Sequence, residues 1–168
     1  MFVVGGLIVG NPDDTVDSID ANLDFARRYI DWPYIQHPTP YPRTPMTADF
    51  RARGLIVDED VSHYDGTSAV VRSQHVPADE IEFRRWRAER WIKLKHFPRV
   101  CLHSPRFVAR HGIAMLSHTF AGSNWRSCLG LEDSRRVFER FRTQRKTERE
   151  ACLPFGPAEP SSGANQAA

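Results

Sequence analysis

GGLIVGNPDDT, residues 5–15, is the stretch that decides the fold. It closes an apolar, β-branched run from Phe2 to Val9, and Gly10-Asn11-Pro12 ends that run. An apolar run bounded by turn residues predicts a strand buried on both faces, which is typical of a parallel sheet. Asp14 or Thr15 can then cap a helix.

A helix and a second strand follow this turn. Apolar residues recur every three or four positions, as a helix with one buried face requires, at Val16, Ile19, Leu23, Ala26 and Ile30. Asp31-Trp32-Pro33 is predicted to end the helix, and Tyr34–His37 is predicted as the second strand. A strand, a helix and a strand in this order form a βαβ unit, whose strands are parallel.

The rest of the chain is predicted to be mostly helical. Residues 38–45 contain four prolines and exclude a helix or a central strand. Short elements are predicted at Thr47–Arg53 (helix), Leu55–Asp65 (loop) and Ala69–Arg72 (strand). Longer helices are predicted after Pro77, from Ser104 to about Phe120, and from just after Leu131-Glu132-Asp133 to about Arg149. Residues 1–75 and 76–150 are predicted as two regions, and 151–168, rich in Pro, Ser, Gly and Ala, as a disordered tail.

Composition limits the class of protein. The chain has 168 residues, 40% of them hydrophobic, which suits one domain with an appendage. Residues 1–66 carry a net charge of −6 and the remainder +8, although the whole chain is only +2. No apolar run is long enough to cross a membrane, and no signal peptide precedes the first strand, so a cytoplasmic location is predicted.

Cysteine and histidine spacing gives no metal site. Cys101, Cys128 and Cys152 are 27 and 24 residues apart, which matches no zinc or iron-sulfur pattern and predicts three separate thiols. His111 and His118 are seven residues apart, whereas two ligands on one helix prefer a spacing of four. No catalytic residue is assigned, and the substrate stays undefined.

Several motifs in order carry a family resemblance. They are GGLIVGNPDDT at 5–15, FARR at 25–28, TPYPRTP at 39–45, GLIVDED at 54–60 and YDG at 64–66. Together they resemble the C-terminal half of a radical S-adenosylmethionine (SAM) enzyme, of the class with an N-terminal cobalamin-binding domain. The resemblance covers residues 2 to about 98, and less distinctively those to about 150.

The resemblance implies a fold and a cofactor site. The fold would be α/β: the last two, parallel strands of a partial (β/α)6 TIM-like barrel, followed by a mostly helical extension. The family's fifth-strand pattern, GxIxGxxE, holds the nucleoside of SAM and is matched by Gly6, Ile8 and Gly10, with Asp13 in place of the glutamate. By the same resemblance, Thr39 and Pro40 would lie near the adenine.

The family's other cofactors have no ligands in this sequence. Its 4Fe-4S cluster is held by Cys-x3-Cys-x2-Cys, a motif that this chain lacks, and the cobalamin domain is not present either. The resemblance therefore implies a fragment that is inactive alone, needs a missing N-terminal half as partner, and contributes to a radical reaction such as methyl transfer or cyclisation. A small-molecule or lipid-like substrate is expected.

Two alternatives stay open. The basic and aromatic segment Arg84-Arg85-Trp86-Arg87 could belong to a noncatalytic helical module that binds nucleic acid or a protein. A stripe of apolar residues on the same helix, Phe83, Trp86, Leu94 and Phe97, predicts that the aromatics pack inward and the bases form a solvated face, which disfavours nucleic acid. The other alternative is a truncation product that is unstable because the edge of its first strand is exposed.

Overall fold

A two-stranded parallel sheet organises the first part of the chain in the computed structural model, which describes residues 3–152. Strand β1 (Val4–Ile8) leads through helix α1 (Val16–Tyr29) to strand β2 (Trp32–Gln36), with Val4 opposite Trp32 and Ile8 opposite Gln36. The predicted α/β fold, with two parallel strands and a mostly helical remainder, is confirmed. It is consistent with part of a barrel followed by a helical extension.

Helix α1 begins where the sequence offers a cap. The Thr15 hydroxyl accepts a hydrogen bond from the Ser18 N–H at 3.2 Å, and the Ser18 hydroxyl accepts one from the Thr15 N–H at 3.0 Å. This reciprocal pair satisfies two amide groups that the first helical turn leaves without partners. Of the two predicted caps, Thr15 is therefore the N-cap.

Strand β2 begins two residues earlier than predicted, and it includes Pro33. The Trp32 N–H donates to the Val3 carbonyl, whereas the His37 N–H donates away from β1, to the Gly66 carbonyl at 2.7 Å. The backbone N–H and C=O groups of successive strand residues point to opposite edges of the strand. Pro33, like His37, is therefore one of the residues whose backbone groups point away from β1. Its missing N–H therefore removes no bond between the strands.

Three further helices and irregular segments complete the first unit. They are α2 (Pro45–Ala52), a 3-10 turn (Val61–His63), α3 (Ala78–His103) and α4 (Pro105–Thr119). The predicted strand Ala69–Arg72 is wrong: an isolated antiparallel bridge joins Val71 to Ile56. Arg72 still bonds backbone to backbone with Leu55, so this segment stays extended without building a ladder.

The core lies on one side of the sheet. Helices α1 and α3 pack there, and the buried side chains are those of Val9, Ile19, Leu23, Ile35, Val76 and Ile81. A separate cluster of Phe50, Leu55, Val70 and Val71 holds the segment after β2. Within residues 3–152, this arrangement covers one face of the sheet, and strand residues on the other face, Val4, Ile8 and Tyr34, are exposed.

A second unit begins at Ala121, since the first ends at Phe120. It contains the short helix α5 (Trp125–Cys128) and the long helix α6 (Ser134–Cys152), with Val137 and Phe138 buried. No helix in residues 3–152 combines the length and apolar character that a bilayer crossing requires. Most of the predicted tail, residues 153–168, lies outside the described residues.

Candidate functional site

The predicted site begins on an open face of the sheet. Val4 and Ile8 of β1 are 65% and 55% exposed, and Tyr34 of β2 is 55% exposed. The prediction that the first strand is buried on both faces is therefore wrong, because α1 and α3 cover only the opposite face. An apolar strand surface without its own covering layer is available to another molecule or another polypeptide.

Two adjacent glycines of β1 face different surroundings. A Cβ atom on Gly5 would lie 2.5 Å from the Ile30 Cδ1 atom, so Gly5 allows α1 to approach the sheet closely. A Cβ on Gly6 would find nothing nearer than the Tyr34 carbonyl oxygen, at 3.9 Å. The space in front of Gly6, beside the exposed Ile8 side chain, is thus open and can take a flat ring.

The two edges of the sheet also differ. On the outer edge of β2, the Arg85 Nε atom donates to the Ile35 carbonyl at 2.6 Å, and His37 bonds to Gly66. On β1, the Val9 N–H donates towards β2, so Val4, Gly6 and Ile8 direct their amide groups to the outer edge. Among the described residues no strand pairs with that edge.

The turn after β1 is built by Gly10 and Asp14. Gly10 has a φ of +90°, and an added Cβ would lie 2.8 Å from the Ile81 Cγ2 atom, so both conformation and space require glycine. The Asp14 carboxylate accepts the N–H groups of Gly10 and Asn11 at 2.9 and 2.8 Å, and also the Ser18 hydroxyl at 3.1 Å. Asp14 therefore fixes the turn and occupies amide groups that a phosphate or carboxylate could otherwise bind.

Asp13, the predicted counterpart of the family's glutamate, is directed to another part of the chain. Its carboxylate lies 2.7 Å from the Arg53 guanidinium, and its side chain is 80% exposed. The hydrogen bond from Arg53 to Asp13 raises the pKa of the guanidinium further above its ordinary value. An exposed pair of this kind adds little stability, and it engages the Asp13 charge away from Gly6 and Ile8.

Thr39 and Pro40 lie beyond the end of β2 and are buried, Thr39 at 9% exposure. The Thr39 hydroxyl donates to the His37 carbonyl at 3.3 Å. The buried His37 ring, which sequence reasoning did not assign to the site, places its Nδ1 atom 3.2 Å from the Val9 carbonyl oxygen. His37 thereby ties together the ends of the two strands, where both predicted loops begin.

Of the six predicted site residues, the structure brings Gly6 and Ile8 together on the open face. Gly10 and the loop with Thr39 and Pro40 lie at the same end of the sheet but are packed within the protein. The carboxyl ends of neighbouring parallel strands are the usual position of ligand sites in such folds. Binding of a ligand by these residues stays a prediction.

The basic segment of α3 is largely engaged within the protein. Arg85 is buried and bonds to the carbonyls of Ile35 and Thr67, so its assignment to a solvated face is wrong. Arg84 bonds to Asp20 at 2.6 Å and to Glu80 at 2.8 Å. The predicted packing of Trp86 is confirmed, since the ring is buried under the Arg90 guanidinium.

A buried acid joins the start of the sheet to α3. The Asp31 carboxylate accepts the Val3 N–H at 2.9 Å, contacts the Arg99 guanidinium at 2.8 Å and lies 3.2 Å from the His96 ring. The Val3 hydrogen bond, together with Arg99 and His96, holds the pKa of Asp31 below its ordinary value despite burial. The sequence pattern predicts for Asp31 only that it helps to end α1.

Cys101 and Cys128 are free thiols. Within the described residues, no three side chains among histidine, cysteine and carboxylate groups converge as a metal site. His111 and His118 both lie on α4, as predicted.

Known proteins similar to this chain share only part of their length with it. No family model matches the sequence. The bacteriochlorophyllide d C-8(2)-methyltransferase of Chlorobaculum tepidum is 33% identical over 72 residues, 42% of this chain and 16% of that protein. An uncharacterised methyltransferase of Pyrococcus horikoshii is 27% identical over 82 residues, 48% of this chain and 18% of that protein.

Both of these relatives are methyltransferases. The chain spans less than a fifth of the length of either one. The comparisons therefore establish a distant, partial similarity to methyltransferases.

Proposed function

We propose that this chain supplies one wall of a SAM-binding site for methyl transfer, in an assembly of the radical SAM class with cobalamin. The partial similarity to two methyltransferases supports the reaction type. The open surface formed by Gly6 and Ile8 carries the proposal, because it offers a space without a Cβ beside an exposed apolar side chain. That pair suits one face of an adenine ring.

The chain's own contribution is binding and orientation. Ile8 contacts the base, Gly6 allows its close approach, and the Gly10 turn with Asp14 holds the end of β1 in place. Bound SAM supplies the activated methyl group. Because the cysteines of this chain are too far apart in sequence for the family's motif, we assign the cluster and the cobalamin to polypeptide outside this chain.

Binding of SAM to the purified chain tests the proposal. We expect saturable binding in equilibrium dialysis and a rise of the thermal midpoint with SAM concentration. Replacing Ile8 by Ala should weaken binding about ten-fold, since loss of roughly 1.4 kcal/mol of apolar contact corresponds to that factor.

Val4→Ala is the matched control. Val4 lies on the same face and strand and is similarly exposed, but it is four residues from Ile8 and outside the proposed contact. The control should bind SAM as the unchanged chain does. Absence of saturable binding at millimolar SAM, or equal weakening by both substitutions, would contradict the proposal.

A further inference from the structure

An exposed apolar knob, residues 125–131, marks the second unit. Trp125 is 68% exposed, Leu129 68% and Leu131 65%, all within seven residues. Trp125 and Leu129 are four residues apart on one helical turn, so their side chains are neighbours. Apolar surface concentrated in this way is typical of an interaction site, whereas isolated exposed leucines are ordinary.

The knob has a defined backbone. Asn124 and Ser127 form a reciprocal cap at the start of α5, with both hydrogen bonds at 3.0 Å. Gly130 has a φ of +71°, and the Leu131 N–H returns to the Arg126 carbonyl at 2.9 Å. The tight turn therefore presents its apolar side chains on a fixed base.

Basic residues lie within this segment and along the helix that follows it. The Arg126 guanidinium lies 5.8 Å from the centre of the Trp125 ring. Arg140 of α6 pairs with Glu132, directly after the knob, at 2.9 Å. The second unit, residues 121–168, contains eight lysines and arginines against six acids, a net charge of +2. The unit thus combines exposed apolar side chains with an excess of positive charge.

We propose that the second unit docks on the surface of an anionic lipid membrane. Trp125, Leu129 and Leu131 would enter the boundary between headgroups and acyl chains, where tryptophan is favoured. Arg126 and the bases of α6 would bind headgroup phosphates, each adding a part of the attraction. The docking is peripheral and needs no membrane-spanning helix.

The apolar side chains favour lipid over nucleic acid. Single-stranded nucleic acid is bound by aromatic rings that stack on bases together with cations that contact the backbone. Trp125 and Arg126 would suit that role, but Leu129 and Leu131 offer no stacking surface and would stay exposed. A lipid surface covers all three apolar side chains and matches the charge.

Vesicle sedimentation with the full chain tests this inference. We expect binding to vesicles of phosphatidylcholine with about a third phosphatidylglycerol, at least ten-fold weaker binding to phosphatidylcholine alone, and weaker binding at high salt. Trp125→Ala, and separately the double substitution Leu129→Ser with Leu131→Ser, should each reduce anionic vesicle binding about ten-fold. Circular dichroism of each variant checks that the helices persist.

Trp91→Ala is the matched control, because Trp91 is 63% exposed but belongs to α3 of the first unit. It should leave vesicle binding unchanged. No binding to anionic vesicles at low salt, or equal loss in the Trp91 and Trp125 variants, overturns the inference. If the chain binds a short single-stranded RNA but does not bind vesicles, the knob is a nucleic-acid-binding surface instead. SAM binding is measured on the other unit, so the two proposals fail separately.

Discussion

Individual glycines of the first strand and turn perform separate tasks that the sequence alone does not distinguish. Gly10 has a left-handed backbone and no room for a Cβ, whereas Gly6 faces open space. We expect Gly10→Ala to lower the free energy of unfolding by about 3 kcal/mol, through backbone strain and overlap with Ile81. Urea denaturation measures the change.

Gly6→Ala is the matched substitution at the residue scale, since it adds the same methyl group. It should change the free energy of unfolding by no more than about 0.5 kcal/mol relative to the unchanged chain, and a small increase is possible because Ala reduces the conformational freedom of the unfolded backbone. It should nevertheless weaken SAM binding if the base approaches this strand. Similar destabilisation by both substitutions would mean that the open face at Gly6 is covered in solution.

The Asp31 carboxylate connects two elements of the fold, because it binds the backbone just before β1 and a side chain of α3. A carboxylate whose pKa is lowered on folding contributes stability above its unfolded pKa, and that stability is lost as the pH falls through the lowered folded value. Asp31→Asn should therefore cost about 2 kcal/mol at pH 7, because it removes the carboxylate charge that accepts the Val3 N–H and contacts the Arg99 guanidinium.

The difference between Asp31→Asn and the unchanged chain should begin to shrink as the pH falls below about 4, where the unfolded chain takes up a proton at Asp31 before the folded chain does. Denaturation curves between pH 3 and pH 8 measure it. Asp24→Asn provides the control, because Asp24 forms an exposed pair with Arg27 on α1 and should show little effect at any pH. A difference for Asp31 that does not change with pH would refute the role of its charge.

Local patterns were enough to predict β1, α1 and β2, because apolar spacing and turn residues act within a few positions. The burial of Arg85 was not predictable in the same way. Its partners, the carbonyls of Ile35 and Thr67, lie 50 and 18 residues away in sequence, and neither is signalled by a basic run. The role of Asp14 was partly predictable, because its partners are close in sequence. An acid four residues after Gly10 could have indicated that its carboxylate closes the turn.

The open face was missed for a reason that concerns the whole molecule. An apolar strand sequence predicts that both faces of the strand are buried. It does not indicate whether the segment that buries them belongs to the same chain. In the described residues, the helices cover one face of the sheet, and the exposed Val4, Ile8 and Tyr34 lie on the other. The site predicted at Gly6 and Ile8 therefore lies on a face of the sheet that the described residues leave exposed.

The unpaired edge of β1 makes a final prediction about the behaviour of the purified chain. Its outward residues, Val4, Gly6 and Ile8, include no charge or proline that would oppose pairing with a second strand. We expect sedimentation velocity to show that the chain self-associates as its concentration rises.

Val4→Lys should reduce this association because a charged side chain on an edge strand opposes pairing. Val57→Lys is the control: Val57 lies outside the two strands and is 52% exposed, so its substitution should not reduce the association. A chain that stays monomeric at every concentration would show that the edge is protected, and equal effects of the two lysines would attribute association to net charge.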